Sequence, residues 1–248
     1  MLAVSCQLLP NSDEHIQVQP GNALKLNPLN HKHTLSMMRI RITFSKTEAM
    51  RYTGHLDLHR AWERTFRRAG LPIAYSQGFH PQPRINLACA LPLGFTSICD
   101  LADAWLDHDL PVSHIEQALV NNLPPGIIIQ HIEGIDSHLP SLQSQVVSAV
   151  YSITCSERIP NLSEKITIIQ NSTSLPRERR NKSYDLRLLI EELYQAKDDN
   201  PDHPHLILRM AAREGATGRP EEVLAVMGIP YETTRIQRIN LMLRVDNG

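Results

Sequence analysis

Polar and apolar residues alternate through Arg39-Ile40-Arg41-Ile42-Thr43-Phe44, the period of a half-buried strand. A loop with Tyr52 and Gly54 follows. Leu58, Ala61, Trp62, Thr65, Phe66 and Ala69 then fall three and four apart, which predicts one helix with a single core-facing stripe, stopped by Gly70. Residues 71–75 read as a short strand, 77–84 as a proline-rich connector, and 85–91 and 98–106 as apolar strands separated by a loop with Pro92 and Gly94. A helix over 112–123 ends at Pro124-Pro125-Gly126, and 127–132 forms a closing strand.

The second half runs in the same order. Strands are expected over 147–155, 184–190, 206–212 and 236–243, with a helix over 161–169 entered through Pro160. A second helix spans 220–227: proline stands at its first position, Glu221 and Glu222 occupy its first turn, and Gly228 follows its end. The segment 170–183, rich in Ser, Arg and Lys, reads as a mobile basic loop, and 196–204 as a turn-rich connector. Each half gives β-α-β-β-α-β, the first with one doubled strand. The fold class expected is α+β, two tandem ferredoxin-like (split βαβ) units over 38–138 and 139–248. Residues 1–37 show no lasting hydrophobic period and lack the basic-then-apolar order of a signal peptide. They are expected to be a disordered leader or a mis-called start, with Met37 or Met38 as the native start.

The formal net charge of the 248 residues is −1, so attraction to nucleic acid or membrane must come from a local patch. No apolar run approaches the length of a membrane span. Cys6, Cys89, Cys99 and Cys155 are scattered without a Cys-x-x-Cys pair, which argues against a zinc ribbon and a disulfide framework. The last three read as small buried hydrophobes, and the setting expected is cytoplasmic. His108, His114, His131 and His138 show no metal-ligand spacing, so neither a metal nor a cofactor is expected.

Charge concentrates in residues 38–84, where nine basic and three acidic residues give a local +6. Arg60, Arg64 and Arg68, four apart, line one helix face, and their planar donor forks suit phosphate. Lys46, Arg51 and Arg84 add to the patch. Tyr75, Gln77, Phe79 and His80 sit in a connector stiffened by Pro81 and Pro83, and His55 precedes the helix; such rings stack on unpaired bases. A solvated helix face with core aromatics is the plain alternative. These eleven residues are the candidate RNA-binding set; none is assigned a catalytic role.

Three stretches carry a family resemblance. They are Phe44-Ser45-Lys46 with Met50-Arg51-Tyr52; Gly54-His55-Leu56-Asp57-Leu58 running to Arg67-Arg68-Ala69-Gly70-Leu71-Pro72; and Tyr75 to Pro81 through Leu91-Pro92-Leu93-Gly94. Gly218-Arg219-Pro220-Glu221-Glu222-Val223-Leu224 fits as well. The chain resembles the radical SAM-linked protein family (domain of unknown function 2344). That resemblance implies a radical SAM protein as partner. The chain lacks the Cys-x-x-x-Cys-x-x-Cys of a 4Fe-4S cluster, so cluster and S-adenosylmethionine would belong to that partner. The expected function is a non-catalytic accessory protein that binds RNA and presents it for modification. A protein-interaction module without nucleic acid is the second reading. A metal-independent endoribonuclease is the third, since tandem ferredoxin-like units also occur in CRISPR repeat-cleaving enzymes. There His55 or His80 would act as general acid-base, with Lys46 or Arg51 steadying the phosphorane. The loop Gly215-Ala216-Thr217-Gly218 is thin in glycine for that role, although as a helix entry it can accept an anion.

Overall fold

The computed structural model describes residues 37–179, 181–197, 200 and 202–244. The expectations for the leader and for part of the 196–204 connector lie outside these residues. The first half supplies β1 (Met38–Lys46), α1 (His55–Arg68), β2 (Ile85–Leu87), β3 (Thr96–Leu106), α2 (Val112–Val120) and β4 (Ile127–Ile135). A short α3 (Leu142–Gln145) leads to β5 (Val146–Cys155), α4 (Leu162–Asn171), β6 (Pro176–Arg179), β7 (Lys182–Asp185) and β8 (Ile190–Gln195). β9 (His205–Arg213), β10 (Ala216–Thr217), α5 (Pro220–Met227) and β11 (Thr234–Leu243) complete the chain.

Strand neighbours define the topology. In the first half β4 pairs β1, β1 pairs β3, and β3 pairs β2. In the second, β11 pairs β5, β5 pairs β9, and β9 pairs β8. Both sets have the fourth strand beside the first, then the third, then the second, which is the ferredoxin-like order. The two sets share one sheet. β2 covers only Ala102 to Ala104 on the free edge of β3, and the other end of that edge pairs in parallel with β11, Gln237 to Thr96 and Arg238 to Ser97.

The sequence pattern accounts for the first core. Ile40, Ile42 and Phe44 of β1 face Trp62 and Phe66 of α1 and Ile115 and Leu119 of α2, all buried. Phe44 meets Trp62 edge-on at 5.0 Å between ring centroids, a favoured aromatic geometry. The second core joins Ala149, Tyr151 and Ile153 of β5 to Ile166 and Ile169 of α4 and Val223, Leu224 and Met227 of α5.

On the face of the first unit away from α1, Arg39 and Arg41 converge on Asp103, which is completely buried. Arg39 Nη2 donates to Asp103 Oδ2 at 2.7 Å, and Arg41 Nε donates to Oδ1 at 2.8 Å. The Arg39 guanidinium also donates to the carbonyls of Leu139 and Pro140, tying down the connector between the halves.

Several elements depart from the pattern. Residues 71–75 form no strand of their own; Ile73 and Tyr75 make isolated bridges to Leu106 and Pro83. β2 stops at Leu87, because Ala88 and Cys89 turn toward the second unit. The expected strand over 184–190 splits into the end of β7, a 3-10 turn at Leu186–Leu189, and β8. Asp185 causes the break by accepting the backbone N–H groups of Leu175 and Arg187. The basic segment is not simply a loop: its centre is the β6–β7 hairpin, with Asn181 at a φ of 61° in the turn.

Replacing Asp103 with Asn leaves two guanidinium groups buried without a counter-charge. It is expected to lower stability by about 3–5 kcal/mol, read as a shift in the urea unfolding midpoint.

Candidate functional site at the junction of the two units

A cleft of about 680 Å³ opens where the halves meet. Three stretches far apart in sequence build it: Gly54 and His55 at the start of α1, the 90–95 loop before β3, and Gly218 to Glu221 at the start of α5. Tyr151, Tyr231 and Arg179 complete the lining.

Beneath the cleft lies a buried ion pair. Arg238, on the same face of β11 as Ile236, is fully buried. Its Nε donates to Asp100 Oδ1 at 2.9 Å, and Nη2 adds a charge-assisted bond to the same oxygen, which also accepts from Ser97 Oγ at 2.7 Å. The rest of the guanidinium holds the first unit: Nη1 donates to Cys89 Sγ at 2.8 Å and Nη2 to the Cys89 carbonyl at 3.4 Å. Cys89 is therefore more than a small hydrophobe. Burial raises its thiol pKa, against the opposing pull of Arg238. Burial likewise raises the pKa of Tyr151, whose side chain bonds Arg238.

The 90–95 loop is fixed by neighbours on every side. Arg51 Nε donates to the Gly94 carbonyl at 2.6 Å, and the Tyr231 hydroxyl donates to the Leu93 carbonyl at 3.0 Å. Gly94 has a φ of +86°, and a Cβ there would overlap the Tyr231 hydroxyl, so only glycine fits. Phe95 stacks on Tyr231 at 6.0 Å and meets Tyr151 edge-on at 6.2 Å.

Charged groups border this aromatic wall. The pKa of His55 is lowered, first by burial, then by His59 and Arg238, so the neutral imidazole is favoured. Burial raises the pKa of Glu221; Arg219 lies 3.6 Å from its carboxylate. Beyond Arg179 and Thr217, a second hollow of about 720 Å³ continues between the β6–β7 hairpin and β10, with Lys182, Tyr184 and Arg213 in its wall. Tyr184 is pushed up to about 12, by burial and by its hydrogen bond with Glu222.

The eleven residues singled out by sequence separate into four places. His55 lines the cleft. Lys46 and Arg51 are interior: Lys46 Nζ donates to the carbonyls of Arg51 and Phe95, and burial lowers its pKa against the pull of Asp100. Arg60, Arg64 and Arg68 are exposed on α1, with Arg60 beside Asp57 at 3.2 Å and Arg68 donating to the Asn122 carbonyl at 2.6 Å. Tyr75, Gln77, Phe79 and His80 are exposed on one loop with Arg84 at its base. Arg84 lies 4.7 Å over the Trp105 ring, on the sheet face opposite α1, so it and the α1 row do not share a surface.

Asp100, Tyr151, Tyr231 and Arg238 escaped the sequence reading. One signal was available: Arg238 stands two residues from Ile236 in an alternating strand, which puts a charge on a core-facing position.

A bacterial family described as "Uncharacterized protein conserved in bacteria (DUF2344)" matches residues 39–220. The chain belongs to this family. The match takes in the α1 entry, the 90–95 loop and the Gly218-Arg219-Pro220 turn, and stops short of Arg238. No curated protein matches the chain. Among solved structures, a Cbf5-Nop10-Gar1 complex is similar at 7% identity and a TM-score of 0.44, over 82% of this chain and 48% of that one. An H/ACA RNP bound to a substrate RNA containing 2'-deoxyuridine is similar at 8% identity and a TM-score of 0.37, over 74% and 42%. The chain thus spans about half the length of these two structures. The acetolactate synthase small subunit from Thermotoga maritima is similar at 10% identity and a TM-score of 0.25, over 85% and 99%. No helix among the described residues is long and apolar enough to cross a membrane.

A histidine with a lowered pKa opposes folding once acid forces it to take a proton. Below its ordinary value of 6.5 the unfolded state binds more protons, so stability falls as pH drops through that region. His55→Gln is expected to flatten the fall of urea-unfolding stability as the pH drops below 6.5.

Proposed function

We propose that this protein is a non-catalytic accessory that binds RNA and presents it to a radical SAM partner. Phe79 carries the reading. Its ring is fully exposed on the loop between Tyr75 and Pro83. The Tyr75–Pro83 bridge and the bond from Ser76 N–H to the Gln82 carbonyl, 2.8 Å, close the loop at its neck. Exposing a phenylalanine to water costs free energy that a partner ring recovers, and an unpaired base supplies such a ring. Tyr75, also exposed, stands at that neck. At the loop's base, Trp105 is held between the guanidiniums of Arg39 and Arg84, 4.8 and 4.7 Å from the ring centroid. Arg39 is engaged by Asp103; Arg84 remains half-exposed and can take a phosphate. The radical SAM partner follows from the resemblance of the sequence motifs alone.

A second reading, a protein-interaction module, is favoured by one feature. Tyr52 and Leu56 are largely exposed on either side of Gly54, and Leu93, also exposed, packs beside that glycine. Such an apolar cluster suits a protein surface.

Fluorescence anisotropy of the full chain with unstructured RNA separates the two. RNA binding should weaken as salt rises, because phosphate contacts release counterions. Phe79→Ala and Arg84→Glu should each weaken it, by roughly 1–3 kcal/mol for the lost stacking ring. Absence of RNA binding at low salt, with nuclease-resistant capture of the radical SAM protein lost in Leu56→Asp/Leu93→Asp, would establish the second reading instead.

A further inference from the structure

The cleft between the units is not used by the loop that carries Phe79, and its chemistry points to a ligand of its own. One wall is apolar and aromatic, made by Leu91, Pro92, Phe95 and Tyr231. The opposite rim is cationic. Arg219 is only loosely engaged by Glu221, at 3.6 Å. Arg179 is half-buried and lines both the cleft and the adjoining hollow; its guanidinium feels the charge of Glu221 but makes no hydrogen bond or ion pair among the described residues. A half-buried guanidinium with its donors unspent is costly unless an anion completes it.

Charge along the two connected hollows has the same sense. Arg179, Lys182, Arg213 and Arg219 face Asp185 and Glu221, an excess of two positive charges in a chain whose net charge is −1. Asp185 is itself occupied, accepting the backbone N–H groups of Leu175 and Arg187. The volume, about 680 Å³, falls within the usual range of small-molecule sites.

A ligand that satisfies both walls has a flat apolar body and a compact anion. We infer that the cleft binds a nucleotide, its base against Tyr231 and Pro92, which the buried Phe95 and Leu91 back, and its phosphate held by Arg179 and Arg219. The guanidinium forks match phosphate oxygens, and the aromatic wall is pinned by the Tyr231–Leu93 bond, so the site is formed before the ligand arrives. The nucleotide comes either from solution or from an RNA strand. A strand would leave along the adjoining hollow past Lys182 and Arg213.

Calorimetric titration of the full chain tests this, with AMP, UMP, adenosine, inorganic phosphate and a five-nucleotide RNA as probes. A mononucleotide should bind more tightly than adenosine or phosphate alone. Arg179→Ala/Arg219→Ala should weaken it about tenfold or more while leaving the thermal melt in place. Phe79→Ala should leave mononucleotide binding unchanged, which keeps this site separate from the RNA-facing loop. Binding of the pentanucleotide alone, lost in the double arginine variant but retained in Phe79→Ala, would support the site and assign its nucleotide to a strand. Failure of every nucleotide probe, equal affinity for phosphate and AMP, or binding indifferent to the arginine variant would each overturn it.

Discussion

The contact of two Arg238 donors with one oxygen of Asp100 is the constraint on which the junction depends. Among the described residues the two ferredoxin-like units join their sheets through just two parallel residue pairs between β11 and β3, while Ala88, Leu91, Phe95 and Leu101 of the first pack into the core of the second. A junction this short supplies few backbone hydrogen bonds. The guanidinium adds side-chain bonds to it, reaching Asp100 on β3 and both the thiol and the carbonyl of Cys89 in the preceding loop. Burying that charge is expensive, and Asp100 offsets the cost only because Ser97 and the guanidinium converge on one oxygen. Lys46 brings a second buried cation near the same carboxylate. The cluster therefore tolerates little displacement, and the cleft above it inherits that rigidity.

Position follows from this arrangement. The loop before β3 cannot move independently of β11, because Arg238 grips its start, Arg51 its Gly94 carbonyl, and Tyr231 its Leu93 carbonyl. The aromatic wall of the cleft is one side of that loop, and the entries to α1 and α5 bring His55, Arg219 and Glu221 to it. The Arg39–Asp103–Arg41 cluster does similar work on the other face, fixing the 139–140 connector and presenting Trp105 to Arg84. One network shapes the cleft and the other supports the RNA-facing loop.

Periodicity made most of the fold legible. The alternation in β1, the stripe on α1 and the Pro220-to-Gly228 frame of α5 are local signals that tertiary packing reinforced. The β6–β7 hairpin was hidden because its residues are polar on both faces, and β2 is short because Ala88 and Cys89, though apolar, serve the neighbouring unit's core. Charge was harder to place than hydrophobicity. Lys46 and Arg51 look like surface cations in sequence, but backbone carbonyls of the 90–95 loop draw them inside. The cleft could not be read from spacing at all, since its two sides stand more than a hundred residues apart and meet through tertiary contacts of Arg238 and Tyr231.

Hydrogen exchange of the full chain carrying Arg238→Met tests most directly whether this single contact sets the units against each other. The account predicts that protection falls first and furthest in residues 88–100 and 234–238, while β1, β4 and the centre of β9 keep most of theirs. Uniform loss through both units, or protection unchanged at the junction, would contradict it.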